Sequence, residues 1–298
     1  MAWRAIGAML LASVACSVTV HAADLQSAQM RESDANALQI EIMPLLTSDY
    51  IYRGVSLSGR RPSVGTEIDV ERNGFYVHTE FRSVKLPTQP AAEITLNGGY
   101  RFDGPWETKL DLGATYFYYP GEIPIGTTTK TNYWEYAFNI ERKFTKAVPG
   151  LPFTFDGTLA YSPDVSSTGA WGVYGEGVVT FDLPQIPLNH PIRWHLIAGA
   201  GYWRFGNTSP AQGGFPLPSY ATWRLGLTFH LTDIVKLDLS YYDTSLSRED
   251  CFVFTGDVNA TPGGVANAIT NPDGLRSRLC GAAFVATLSA KFEGPKKP

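Results

Sequence analysis

The chain has 298 residues, of which 44% are hydrophobic and 17% charged, enough apolar material for one large domain or two small ones and too much for a disordered chain. With 24 Lys and Arg against 28 Asp and Glu, the net charge of -4 supplies no basic field, so a nucleic-acid partner is not expected and no polybasic membrane-surface patch is present. Aromatics are abundant, with 15 Tyr, 16 Phe and 7 Trp.

The first element is MAWRAIGAMLLASVACSVTVHAAD. Arg4 precedes an apolar stretch from Ala5 to Val20, and small residues, Val20 and Ala22, stand three and one before the expected cut. This predicts a secretory signal peptide over residues 1–22, cleaved after Ala22. A lipoprotein signal with Cys16 as the lipidated residue is the competing reading, but Ser13 stands where Leu is usual. Residues 23–36 read as a polar periplasmic segment. No later run of roughly 18 apolar residues predicts a transmembrane helix. Cys251 and Cys280 remain after processing, and an even count in an exported chain predicts a disulfide between them.

From there the dominant signal is alternation of apolar and polar residues, the period of a strand. The first predicted strand runs from about Ala37 to Gly54, with Asp49 and Arg53 inward and Tyr50 and Tyr52 outward at the lipid boundary. Further strands are predicted near 64–71, 75–83, 91–102, 106–118, 132–143, 151–162, 169–183, 191–205, 219–231, 234–244 and 281–292. Residues 91–102 are the clearest: Ile94, Leu96, Tyr100 and Phe102 share one face, Glu93, Thr95, Asn97 and Arg101 the other. Trp106 and Tyr118 would mark the two ends of an outward face spanning roughly 30 Å.

After the first strand, longer polar segments (54–63, 84–90, 119–131, 162–168, 206–218, 245–280) alternate with mostly shorter turns such as ERNG, DGP and TD. The predicted fold is therefore all-β: a transmembrane antiparallel up-and-down β-barrel of about 12 strands over residues 37–292, with longer extracellular loops and short periplasmic turns. A soluble sandwich or lipocalin-like barrel also alternates, but the outward faces are too apolar over too many strands for a solvated surface. Residues 293–298 would form a periplasmic tail.

Strand parity assigns the lumen. The candidate pore-lining residues are Asp49, Arg53, His78, Glu80, Arg82, Glu93, Arg101, Lys109, Asp111, Glu135, Glu176, Arg224 and Asp238. Acids outnumber bases among the inward charges, which gives either a passage with a mild preference for cations or a ladder of cross-strand ion pairs bracing the wall. About 12 strands imply a narrow, loop-constricted passage, between packed eight-stranded barrels and open porins.

Enzymatic readings find little support. His78, His195 and His230 point inward on different strands, His190 lies in a turn, and none has an obvious Ser or Asp partner at the rim. No HExxH, paired CxxC, P-loop or Rossmann pattern occurs, so no catalytic residue, cofactor or metal is predicted. Asp257, Asn259, Asn271 and Asp273 offer calcium-binding oxygens at a spacing that fits no known loop, and a polar disulfide-pinned surface loop is the better account.

The stretch SDYIYRGVS, residues 48–56, followed by Gly74, Phe75 and Tyr76 and by the C-terminal CGAAFVATLSAKF, resembles the TorF family of proteobacterial outer-membrane porins. The resemblance implies an outer-membrane barrel and a passive channel, with no substrate specified. The expected function is thus passive diffusion of small polar solutes across the outer membrane, the partners being outer-membrane lipid and lipopolysaccharide, the solutes, and the periplasmic chaperones and barrel-insertion machinery. The rivals are an outer-membrane barrel enzyme acting on lipid or peptide, and a closed structural or receptor barrel.

Overall fold

A computed structural model describes residues 37–123, 130–145, 150–188 and 192–294. The predicted signal peptide, the polar segment up to residue 36 and residues 295–298 of the tail lie outside the described residues. In chain order the strands are β1 (Gln39–Thr47), β2 (Ile51–Tyr52), β3 (Val55–Ser56), β4 (Ser63–Arg72), β5 (Phe75–Arg82), β6 (Glu93–Gly104), β7 (Thr108–Tyr118) and β8 (Tyr133–Phe144). They continue with β9 (Phe153–Ser162), β10 (Gly172–Asp182), β11 (Arg193–Phe205), β12 (Tyr220–His230) and β13 (Val235–Thr244), then helix α1 (Arg248–Thr255), β14 (Ala283–Ala290) and β15 (Phe292–Glu293).

β1 and β4 through β14 form the wall, each strand antiparallel to the next, and β14 returns to pair with β1, Leu45 opposite Ser289. The result is a closed twelve-stranded antiparallel barrel. Closure removes every sheet edge, so the backbone polar groups of the wall are satisfied within it. The longest connections lie at one end, here the loop end, and the mostly shorter ones at the other, the turn end.

Period two does the sorting expected of it. On β5, Tyr76, His78 and Glu80 are buried inside while Phe75 and Val77 stand exposed outside. Aromatics collect at both rims of the outer face. Phe75 packs on Tyr100 at 4.6 Å, Phe144 on Phe153 at 4.8 Å and Trp194 on Phe229 at 6.0 Å toward the turn end. Tyr116 with Trp134 at 4.8 Å and Tyr241 with Phe284 at 5.0 Å mark the loop end. Uncovered in water, each such large side chain would forgo about 1.5–3 kcal/mol of burial energy, so this face fits a bilayer rather than solvent.

Two expectations change. Trp106 is not on a strand: it lies in the 3-10 turn Pro105–Glu107 with φ 58°, and β7 begins at Thr108. More consequentially, the first strand stops at Thr47 rather than near Gly54. Arg53 and Gly54 have φ of 44° and 82° and form a two-residue turn that pairs Tyr52 with Val55. Positive φ at both central residues is the signature of a tight hairpin whose twist matches its strands. This β2–β3 hairpin folds into the loop end of the lumen, so Tyr50 and Tyr52 are buried there rather than facing lipid. The main apolar core also sits there, with Val55, Leu57, Phe117, Tyr174, Trp203 and Phe254 all buried.

Candidate functional site

The turn of the hairpin is anchored to the wall through Arg53. Arg53 donates from Nη1 to Glu135 Oε2 at 2.9 Å and from Nη2 to Oε1 at 2.6 Å, a bidentate pair whose side chains are 2% and 6% exposed. Its guanidinium carbon lies 4.0 Å from the Tyr174 ring centroid, 4.3 Å from Trp203 and 4.6 Å from Tyr52. Such a planar cation is suited to both partners at once, carboxylate in its plane and rings on its faces. Removing two charges from water is costly, so the pair contributes position more than net stability.

Asp49 turns inward on itself, accepting hydrogen bonds from Ser56 Oγ at 2.6 Å and Ser58 Oγ at 2.8 Å, with Arg60 at 3.4 Å. Asp49 and Arg53 therefore belong to the hairpin segment and not to the wall. Glu93 completes the seat by accepting from Tyr50 Oη at 2.6 Å and Tyr119 Oη at 2.8 Å. Burial first, and then the Glu93 carboxylate, push the Tyr119 phenol, beyond the end of β7, well above its ordinary range, which keeps it a donor.

Gly54 is required where the turn meets the wall. A Cβ there would collide with Thr244 Cγ2 and come within 2.6 Å of Thr222 Oγ1, at a φ of +82°. Gly54→Ala therefore carries about 1–2 kcal/mol of backbone strain before any clash is relieved. The expected outcome is an unseated hairpin in an intact barrel, checked by new tryptic cleavage after Arg53 with unchanged heat-modifiable migration of the barrel on gels.

Over the hairpin lies the segment 245–280. Ser247 caps α1 by accepting from the Asp250 N–H at 2.9 Å, and Cys251 is bonded to Cys280. Phe254 packs 5.4 Å from Phe205 and 5.5 Å from Tyr220. Ser56 N–H donates to Leu279 O at 2.8 Å, and Arg60 Nη2 donates to Arg278 O at 2.8 Å and Gly281 O at 2.6 Å. The expected polar surface loop is thus half apolar and acts as a lid on the hairpin, because α1 turns Phe252, Val253 and Phe254 into the core. Two of the four candidate calcium ligands serve the loop itself: Asp257 accepts from Ser277 Oγ at 2.7 Å and from the Asn259 N–H at 2.8 Å, and Asn271 bonds both backbone groups of Leu275 at 2.8 Å.

Beneath the hairpin the lumen holds a partly open cavity of about 140 Å³. Asp49 and Arg53 roof it, His78, Glu80 and Arg82 line one wall, and Glu176, Arg224 and Asp238 line the other. Arg82 is shared by Glu80 and by Glu67, the latter at 2.7 Å. Asp238 accepts from Ser240 Oγ at 2.6 Å and Thr228 Oγ1 at 2.8 Å. Arg101 and Asp111 lie nearer the turn end, in a cluster where Arg101 meets Glu71 at 2.5 Å and Asp69 and Asp111 at 3.3 Å, over the Tyr76 ring at 4.0 Å. Lys109 is exposed near that end, in register with Glu141.

Two histidines have acidic partners that the sequence did not reveal. His195 lies 3.0 Å from Asp182 and His78 lies 3.5 Å from Asp69. Both pairs are direct cross-strand neighbours in register, so strand pairing alone explains them. His190 falls outside the described residues. Tyr52, Tyr174 and Trp203, the ring cage around Arg53, were not among the candidates. Inward parity near the loop ends of β10 and β11 marks the last two, but nothing local links them to Arg53.

A family model described as "Bacterial protein of unknown function (Gcw_chp)" matches residues 36–265. The chain belongs to this family. The Gcw_chp match contains the hairpin, Glu135 and α1, and stops before Cys280 and the closing strand β14. The likeness to the TorF family rests on its short motifs. No curated protein matches the sequence. Among solved structures this Gcw_chp chain is similar to the NanC porin, at 11% identity and a TM-score of 0.44 over 85% of this chain and 98% of that one. It is also similar to the KdgM porin, at 8% identity and 0.44 over 85% and 99%, and to the COG4313 outer membrane channel from Pseudomonas putida F1, at 11% and 0.38 over 89% and 100%. These are likenesses of fold.

Proposed function

We propose that this Gcw_chp protein is an outer-membrane, porin-like barrel that passes small polar solutes through a narrow charged lumen, with the β2–β3 hairpin as its constriction. The observation that carries the reading is a charged cavity directly under a hairpin whose Arg53 is paired bidentately with Glu135 of the wall. A packed structural barrel has no need of an interior of this polarity, since buried charges cost desolvation energy that apolar filling avoids. The carboxylates around Arg82 and Arg101 outnumber those two cations, which supports a mild preference for cations. Outer-membrane lipid and lipopolysaccharide would cover the apolar face, and insertion would go through the periplasmic chaperones and the barrel-insertion machinery.

The second reading is a permanently closed structural barrel, favoured by the lid seated on the hairpin. Single-channel recording in planar bilayers under a salt gradient separates the two. Discrete conductance steps with a reversal potential on the cation side are expected. Absence of steps in both the wild type and Arg53→Ala would leave only the closed barrel, and an anion-side reversal would remove the charge preference.

A further inference from the structure

Arg53 holds its place against the preference of the backbone. With a φ of 44° it is the first central residue of the two-residue turn, a position that favours Gly, Asn or Asp because a long side chain's Cβ crowds the backbone there. Turn chemistry does not account for an arginine at this point, and strain kept at one residue marks a functional constraint. The shape that its side chain enters does account for it.

Three of the four groups around the guanidinium belong to the wall: Glu135 of β8, Tyr174 of β10 and Trp203 of β11. Only Tyr52 comes from the hairpin. The Glu135 carboxylate accepts two N–H donors side by side, at 2.9 and 2.6 Å, and the wall rings lie 4.0 and 4.3 Å from the guanidinium carbon. A quaternary ammonium has no N–H for the carboxylate and a primary ammonium has no planar fork, so the arrangement selects a guanidinium. The cage also borders the lumen. Tyr52, Arg53 and Tyr174 line the cavity beneath the turn, together with Glu176, two residues along the inward face of β10 from Tyr174. Among the described residues Glu176 has no salt-bridge partner, so a cation in the lumen meets this carboxylate before Glu135. The Arg53 side chain can leave the cage without the rest of the hairpin, because Tyr50 stays bonded to Glu93 and Asp49 to Ser56 and Ser58.

We propose that the Glu135, Tyr174 and Trp203 cage is a binding site for a small solute bearing a guanidinium group, with Arg53 as its tethered occupant. An incoming guanidinium replaces Arg53 like for like. The two hydrogen bonds and the ring contacts are remade, and Glu135 is left neither unpaired nor newly desolvated. Arg53 keeps the advantage of its tether, an effective concentration on the order of millimolar, and that advantage is reduced by the strain at its positive φ. A solute at about millimolar concentration or above therefore competes with it. Only the step after binding, passage through the lumen, rests on the channel reading.

The test is isothermal titration calorimetry of methylguanidinium with the full-length protein in detergent, urea and tetramethylammonium serving as probes that lack the charge or the N–H donors. In Arg53→Ala, where the cage is vacated, one methylguanidinium is expected to bind per chain. The wild type should bind it at least tenfold more weakly, because Arg53 competes, and Arg53→Ala/Glu135→Gln at least tenfold more weakly than Arg53→Ala. A second measurement needs no substitution: in the wild type, methylguanidinium should speed hydrogen exchange over residues 51–57 at least threefold, and the two control probes at equal concentration should not. Absence of saturable binding to Arg53→Ala with unchanged heat-modifiable migration would overturn the site. Equal binding by Arg53→Ala and the double variant would do the same, as would unchanged exchange in the wild type. Planar-bilayer recording keeps the two conclusions apart: binding without conductance steps removes the channel and leaves the site, and steps without binding remove the site and leave the channel.

Discussion

Arg53→Ala is expected to raise open-channel conductance and to expose the β2–β3 hairpin to protease while the barrel stays folded. Truncation leaves Glu135, 6% exposed, without its bidentate partner and leaves the Tyr52, Tyr174 and Trp203 rings around an empty centre. Removing one partner of a buried pair typically costs about 3–5 kcal/mol. That cost falls on the docking of the hairpin, because the wall is held by its own ladders. Glu135→Gln keeps the shape and one acceptor, so it should move in the same direction by less. Planar-bilayer recording together with limited proteolysis reads both effects. If Arg53→Ala leaves conductance and protection as in the wild type, the pair is not the latch.

The second large effect is expected from Cys280→Ser. The Cys251–Cys280 bond closes a segment with a sequence separation of 29, and in the simple chain model its loss returns about 3–4 kcal/mol of entropy to the opened segment. The lid should loosen first. Leu279, Arg278 and Gly281 supply carbonyls to Ser56 and Arg60, so loosening the lid weakens the upper support of the hairpin as well. Hydrogen exchange should speed up over residues 248–281 and at Ser56, and remain slow in β6–β7 and β10–β11. Equal acceleration across the whole wall would show that the bond braces the barrel rather than its lid.

The wall was legible because alternation is a local property and twelve strands repeat it. Glu93, Thr95 and Asn97 on one face of β6, with Leu96 and Tyr100 on the other, could be sorted without knowing any neighbour. Residues 48–56 show where that logic fails. Parity continued past Thr47 places Asp49 and Arg53 inward correctly but sends Tyr50 and Tyr52 to lipid, because alternation cannot see the chain leave the sheet. The signal was present in Arg53-Gly54, a two-residue turn between the short pairs Ile51-Tyr52 and Val55-Ser56, but an isolated glycine at the end of a strand pattern reads equally well as its terminus. The partners of Arg53 were harder still. Glu135 is 82 residues away and Trp203 lies on another strand, contacts made by closure of the barrel and not by any spacing. The same holds for Asp182 with His195, which only the register of β10 and β11 brings together.

The hydrogen bonds between hairpin and lid also impose an order of assembly. Arg60 reaches Arg278 and Gly281 across sequence separations of 218 and 221 residues, so the first-made and last-made parts of the barrel meet at its mouth. Bringing such distant segments together carries a loop-closure entropy close to that of the seam itself, where Thr287 bonds Thr47 across 240 residues, and it is offset as the intervening strands pair. The hairpin can therefore be sealed only after β14 has closed on β1. The Arg60 contacts at the mouth thus depend on the closed seam, whereas the Cys251–Cys280 bond is local to the lid.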